Sequence, residues 1–119
     1  MCEIRGLGLD LCAIPRMQEL LDSGRPLRRM FAESEEAYIR AKGAAAAQTM
    51  AGLFAAKEAV LKALGTGLTL PMTDVLITHT DLGQPQVMLL GRAAQLGGSV
   101  LLSITHEGDM AAATALWMA

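Results

Sequence analysis

Phe54-Ala55-Ala56-Lys57-Glu58-Ala59-Val60-Leu61-Lys62-Ala63-Leu64-Gly65-Thr66-Gly67 is the run on which the reading of this chain turns. From about Ala44 to Leu64 alanine, leucine, lysine and glutamate dominate, all strong helix formers, and no proline interrupts them. Gly65 then supplies a left-handed stop. At about 100° per residue, Met50, Leu53, Phe54, Val60, Leu61 and Leu64 fall on one stripe, as in a helix packed against a core.

Charges interrupt that helix in telling places. Lys57 falls near the middle of the apolar stripe, where it must either snorkel out along its neighbours or reach an anion in a cleft, because an unpaired buried ammonium is costly. Glu58 and Lys62 are spaced i,i+4, so their side chains are neighbours. A surface ion pair worth a few tenths of a kcal/mol is the plain reading of that spacing.

Working outward, 119 residues of which 52% are hydrophobic suit a single domain, 1–119, with its own core. A net charge of −2 gives no general basic field, and aromatics at 3% provide no base-stacking platform, so a nucleic-acid partner is not expected. The apolar runs are too short to span a membrane, and Met1 leads into Cys2-Glu3-Ile4-Arg5 with no signal-peptide core. The expected setting is cytoplasmic, with Cys2 and Cys12 as free thiols.

The segment 2–9 is β-compatible and leads to Asp10, a carboxylate expected where a strand ends. Ile14 to about Asp22 reads as a helix with Pro15 in its first turn and Gly24 after its end. Arg16 lies on its first turn, and Arg25, Arg28 and Arg29 then form a local basic cluster against an acidic whole. Ser34 is the expected N-cap of a short helix over 35–42. Beyond Gly67, segments 74–79 and 86–90 flank turn chemistry and predict a hairpin, and 99–105 with 110–117 a second antiparallel pair. The order of strand, helices, then strands implies an α+β fold, a mostly antiparallel sheet packed against one long helix and shorter ones.

Asp10 and Glu58 are candidates for a hard-metal site, since Mg²⁺ takes one or two carboxylates and leaves its other positions to water and phosphate. Lys62, one turn beyond Glu58, would face the same anion. His106 follows the strand-like Leu101-Leu102-Ser103-Ile104-Thr105 and reads either as structural or as an exposed imidazole at a turn. His79 shows no local partner and reads as a surface residue. No nucleophilic triad, zinc motif or phosphate-binding glycine loop is present.

Four separated segments carry a family likeness: Gly6-Leu7-Gly8-Leu9-Asp10-Leu11, the Phe54–Gly67 run, Asp81-Leu82-Gly83-Gln84-Pro85, and Leu102-Ser103-Ile104-Thr105-His106. Together they resemble the holo-acyl-carrier-protein synthases, compact 4′-phosphopantetheinyl transferases, across nearly the whole chain. The third segment resembles that family's D-x-x-G-K-P turn, and F-A-A-K-E-A-x-x-K-A-L-G-T-G is the most specific match.

The resemblance implies a 4′-phosphopantetheinyl transferase-like fold and transfer of phosphopantetheine from coenzyme A to a serine of apo acyl carrier protein, with Mg²⁺ as the metal and adenosine 3′,5′-bisphosphate as the leaving group. It implies metal ligation by Asp10 and Glu58, with Lys62 at the transferred phosphate. Lys57, Lys62, Gly65, Ser103 and His106 are the implied coenzyme A contacts. Arg16, extended by Arg25 and Arg28, is the implied carrier-protein surface. A homotrimer with sites between subunits is expected on the same ground. Two departures stand out: Ala13 where the family has an acid, and Leu53 where an arginine precedes the phenylalanine. They motivate an alternative, a non-catalytic homologue that binds coenzyme A or carrier protein as a regulatory or assembly module.

Overall fold

Through 6–11 leucine alternates with Gly6, Gly8 and Asp10, and that alternation decides how the first strand is used. In the computed structural model, which describes residues 3–65 and 69–119, β1 runs Ile4–Ala13. Gly6 and Gly8 face the long helix α3 (Ala46–Leu64). A Cβ at Gly6 would overlap the Ala63 carbonyl, and one at Gly8 the Ala59 carbonyl, so only glycine lets helix and strand backbones meet this closely. Leu7, Leu9 and Leu11 point the other way and are exposed.

The strand is longer than the sequence indicates, and Asp10 lies within it, not at its end. Pairing is the reason: Asp10 is held opposite Ala113, and Ala13 opposite Met110, in an antiparallel ladder with β5 (Met110–Met118). β4 (Ser99–Glu107) pairs with the other edge of β5, giving a three-stranded sheet in the order β1-β5-β4. β2 (Val75–His79) and β3 (Pro85–Leu89) form the expected hairpin as a separate two-stranded sheet. α1 spans Ile14–Asp22, α2 Glu33–Arg40 and α4 Gly91–Ala94.

α2 starts earlier than its serine signal indicates. Ala32 is the N-cap, and its amide donates to Glu35 Oε1 at 2.7 Å, so a glutamate in the first turn satisfies the helix start in place of Ser34. A 3₁₀ turn over Gly43–Ala45 leads into α3, which ends as expected: Gly65 has φ +72° and donates its amide to the Lys62 carbonyl at 3.1 Å.

α3 is buried on nearly every side, not along one stripe. Its alanines Ala51, Ala55, Ala56 and Ala59 are as buried as Met50 and Val60, because the sheet, α1, α2 and the hairpin all pack against it. Small residues on β5, Ala111, Ala113 and Ala115, let the sheet approach. Cys12 is a buried free thiol, and burial pushes it up and keeps it protonated, whereas Cys2 lies outside the described residues. Among the described residues, no helix is long and apolar enough to cross a membrane.

Candidate active site

The strand–helix contact made by the two glycines sets the charged cluster. Ala59 packs on Gly8, so the turn of α3 that carries Glu58 and Lys62 lies beside Asp10. Lys62 Nζ donates to Asp10 Oδ1 at 2.9 Å and to the Leu9 carbonyl at 3.0 Å. Asp10 keeps 17% of its side chain exposed and Lys62 54%, so the pair opens to solvent. Lys62 thus turns to the strand, and the i,i+4 pair with Glu58 does not form. Glu58 is half-buried and has no hydrogen-bond or ion-pair partner among the described residues.

Two hard carboxylates, one without a partner, beside an exposed ammonium, fit a divalent cation that takes its remaining oxygens from water or a phosphate ligand. Among the described residues no group of three or more His, Cys, Asp or Glu comes together, so an all-protein metal cage is not formed there.

Lys57 is corrected outright as a coenzyme A contact. It is fully buried and donates to Glu35 Oε1 at 2.6 Å, the Val75 carbonyl at 2.8 Å and the Met72 carbonyl at 3.2 Å. Glu35 is equally buried, and its Oε2 accepts the Ile77 amide at 2.8 Å. Burial pushes the Lys57 ammonium down, opposed by the hydrogen bond and charge of Glu35. Three acceptors meet three ammonium protons, leaving nothing for an arriving ligand. Neither snorkelling nor anion capture is needed; the partner, Glu35, is on another helix and no local spacing shows it.

Ser103 stands apart from the other candidates. It pairs with Thr114, which pairs with Leu9, so all three share the outer sheet face, opposite the one that carries Asp10 and His106. His106 lies within β4, next to its last residue, and its Nε2 is 3.0 Å from Gln48 Nε2. Gly65 is exposed at the helix end; Thr66 and Gly67 of the same motif lie outside the described residues.

His106 and Gln48 form one wall of a cleft of about 310 Å³, floored by Gly52, Leu53 and Ile104 and closed opposite by the hairpin residues His79, Gly83 and Pro85. His79 is no plain surface residue: its ring stacks on Tyr38, with centroids 4.0 Å apart and planes at 4°. Burial, then the nearby Lys42 charge, push its pKa down. Leu53, the departure noted above, is 2% exposed and serves the core as the cleft floor.

A second hollow has an apolar floor, Met17, Leu20, Met30 and Phe54, with Arg16 and Arg25 on its rim. The Arg16 guanidinium lies 5.5 Å from the centroid of the Phe54 ring. Arg28 lines a separate hollow with Phe31, Glu36 and Arg40.

A family model described as the 4′-phosphopantetheinyl transferase superfamily matches residues 6–115. The chain is 39% identical to a holo-[acyl-carrier-protein] synthase of Treponema denticola, over 95% of this chain and 97% of that one. It is 43% identical to a protein of the same name from Desulforudis audaxviator, over 95% and 92%. The fold is similar to a solved holo-(acyl-carrier-protein) synthase from Bacillus anthracis in complex with CoA (3′,5′-ADP), with TM-score 0.83, 30% identity, and 98% and 97% of the two chains covered.

Proposed function

The chain belongs to the 4′-phosphopantetheinyl transferase superfamily as an enzyme of the holo-acyl-carrier-protein synthase kind, and from that premise we propose that it moves 4′-phosphopantetheine from coenzyme A to a serine of an apo acyl carrier protein, releasing adenosine 3′,5′-bisphosphate. The observation that carries this reading is the Asp10–Lys62 pair at 2.9 Å with Glu58, which has no partner among the described residues, one turn away.

Asp10 and Glu58 would hold Mg²⁺, whose chemistry there is to neutralise charge on the pyrophosphate. Lys62 binds and orients the phosphate to be transferred, and its charge stabilises the oxygens that gain negative charge as the bond to the nucleotide breaks. Arg16 and Arg25 beside an apolar floor, with Glu19 also in the lining, fit an acidic, amphipathic carrier protein, and Arg28 would meet it from the separate hollow it lines.

The same reading includes a homotrimer. Gln48 of the cleft wall and Glu58 stand about 15 Å apart along the axis of α3, at about 1.5 Å per residue. In this reading one donor spans the cleft of one copy and the charged cluster of another. The outer sheet face, with Leu7, Leu9, Leu11 and Leu101 exposed, is an apolar surface for such packing. Residues 1–119 then act as a single transferase domain in the cytoplasm.

Intact mass of an apo acyl carrier protein after incubation with the protein, coenzyme A and Mg²⁺ tests the reading. The expected result is a gain of one phosphopantetheine, abolished by a chelator. Near-normal transfer by Glu58→Ala would defeat it. Mixing Glu58→Ala with a cleft-defective Gln48→Ala/His106→Ala variant should restore transfer if each site draws on two copies.

A further inference from the structure

The cleft between α3, β4 and the hairpin holds one feature that a nucleotide with an extra phosphate would find unfavourable: no lysine, arginine, aspartate or glutamate is among its described lining residues. Its ionisable side chains are Tyr38, His79 and His106. His106 Nε2 lies 3.0 Å from the side-chain nitrogen of Gln48, so the ring meets an uncharged amide. His79 is covered on one face by Tyr38, and burial and Lys42 hold it towards its neutral form. Lys42 itself lies over the Tyr38 ring, 4.6 Å from its centroid, and is not a lining residue. What the walls offer is a stacked aromatic pair and the uncharged donors and acceptors of Gln48, Thr49 and Thr105.

A phosphomonoester dianion gains affinity chiefly through charge-assisted contacts to arginine or lysine, and desolvation without them opposes binding. A purine and a ribose need only stacking and neutral hydrogen bonds. We propose that this cleft holds the donor by its adenosine ring and sugar and not by its 3′-phosphate, so that 3′-dephospho-coenzyme A serves as phosphopantetheine donor about as well as coenzyme A. The inference rests on the transferase reading above and on this cleft receiving the nucleotide end. The chemistry is unchanged: the carrier serine oxygen bonds to the phosphorus of the pantetheine phosphate, the bond from that phosphorus to the nucleotide's bridging oxygen breaks, and the serine proton is lost to base. The leaving group is adenosine 5′-monophosphate in place of the 3′,5′-bisphosphate.

The full-length protein is assayed with both donors against one apo carrier protein, by carrier mass and by chromatography of the released nucleotide. The expected kcat/KM ratio of coenzyme A to its dephospho form is within about threefold, less than one charge-assisted contact would give. A ratio above about thirtyfold overturns the proposal. Gln84→Lys, in the exposed turn between the lining residues Gly83 and Pro85, adds a cation at the rim and should raise the preference for coenzyme A about tenfold through its KM, leaving the dephospho donor unchanged. Calorimetry with adenosine 3′,5′-bisphosphate and with 5′-monophosphate separates the two readings. Comparable Kd values without transfer from either donor leave the cleft assignment standing and sink the transferase reading. Selective binding of the bisphosphate, or binding of neither nucleotide, overturns the cleft assignment.

Discussion

Lys57 and Lys62 sit on one helix and each meets a carboxylate, Glu35 at 2.6 Å and Asp10 at 2.9 Å, yet they do opposite work. Lys57 has no exposed side-chain surface, and its three protons are used by Glu35 and two backbone carbonyls. It ties α3 to the start of α2 and to the foot of the hairpin, which has no strand pairing with the main sheet. Lys62 is half exposed, and its partners are at the surface, so its charge stays available. The contrast teaches that charge and carboxylate contact do not show whether a lysine can meet a ligand; spare donors and access to solvent do.

The sharpest way to break the contrast is Lys57→Ala. It leaves the Glu35 carboxylate buried with only two backbone amides, and the expected loss is about 3–5 kcal/mol, read as a lower urea midpoint. Removing both charges, Lys57→Met with Glu35→Gln, should recover a large part of that loss, because the desolvation cost disappears with the pair. Full additivity of the two single changes in that cycle would show that the ion pair is not a unit.

Lys62→Ala tests the other side. The stability change should stay below about 1 kcal/mol, as for an exposed pair, whereas kcat for carrier modification should fall about 10²-fold or more. Equal losses of stability and activity would erase the distinction between the two lysines.

The smallest effect concerns His79, the far wall of the cleft. Its folded pKa is pushed below the ordinary value by burial first and Lys42 second, so as pH falls from about 6.5 the unfolded chain takes up the proton first. The contribution is therefore fully present above that value and lost on acidification through the folded pKa. Urea midpoints from pH 7.5 to 5 should decline less for His79→Gln than for the parent; identical slopes would count against the buried, stacked imidazole.

The charges of the proposed site could be named from the chain order of residues. Asp10, Glu58 and Lys62 could be picked out because hard carboxylates and a lysine at helical spacing suit a pyrophosphate. Lys57 could not be assigned in the same way: its partner Glu35 lies on another helix, and a lone lysine in an apolar stripe is compatible with snorkelling, capture of an anion or a buried pair. His79 was misread, and the face that carries Ser103 went unread, for a related reason, since the stacking partner Tyr38 and the sheet face come from packing and pairing that local sequence does not record.

By itself the sequence determined the elements: a glycine-terminated helix rich in small residues, a strand whose glycines alternate with leucines, two hairpins, and the charges spaced along them. These follow from backbone propensity and periodicity, which act over a few residues. Tertiary structure alone decided that α3 is buried on nearly every side, that Lys62 turns from Glu58 to Asp10, and that Lys57 is spent on Glu35. Those outcomes depend on which surfaces meet. Once Gly6 and Gly8 admit the helix backbone to the strand, burial penalties and hydrogen-bond satisfaction assign each charge its partner.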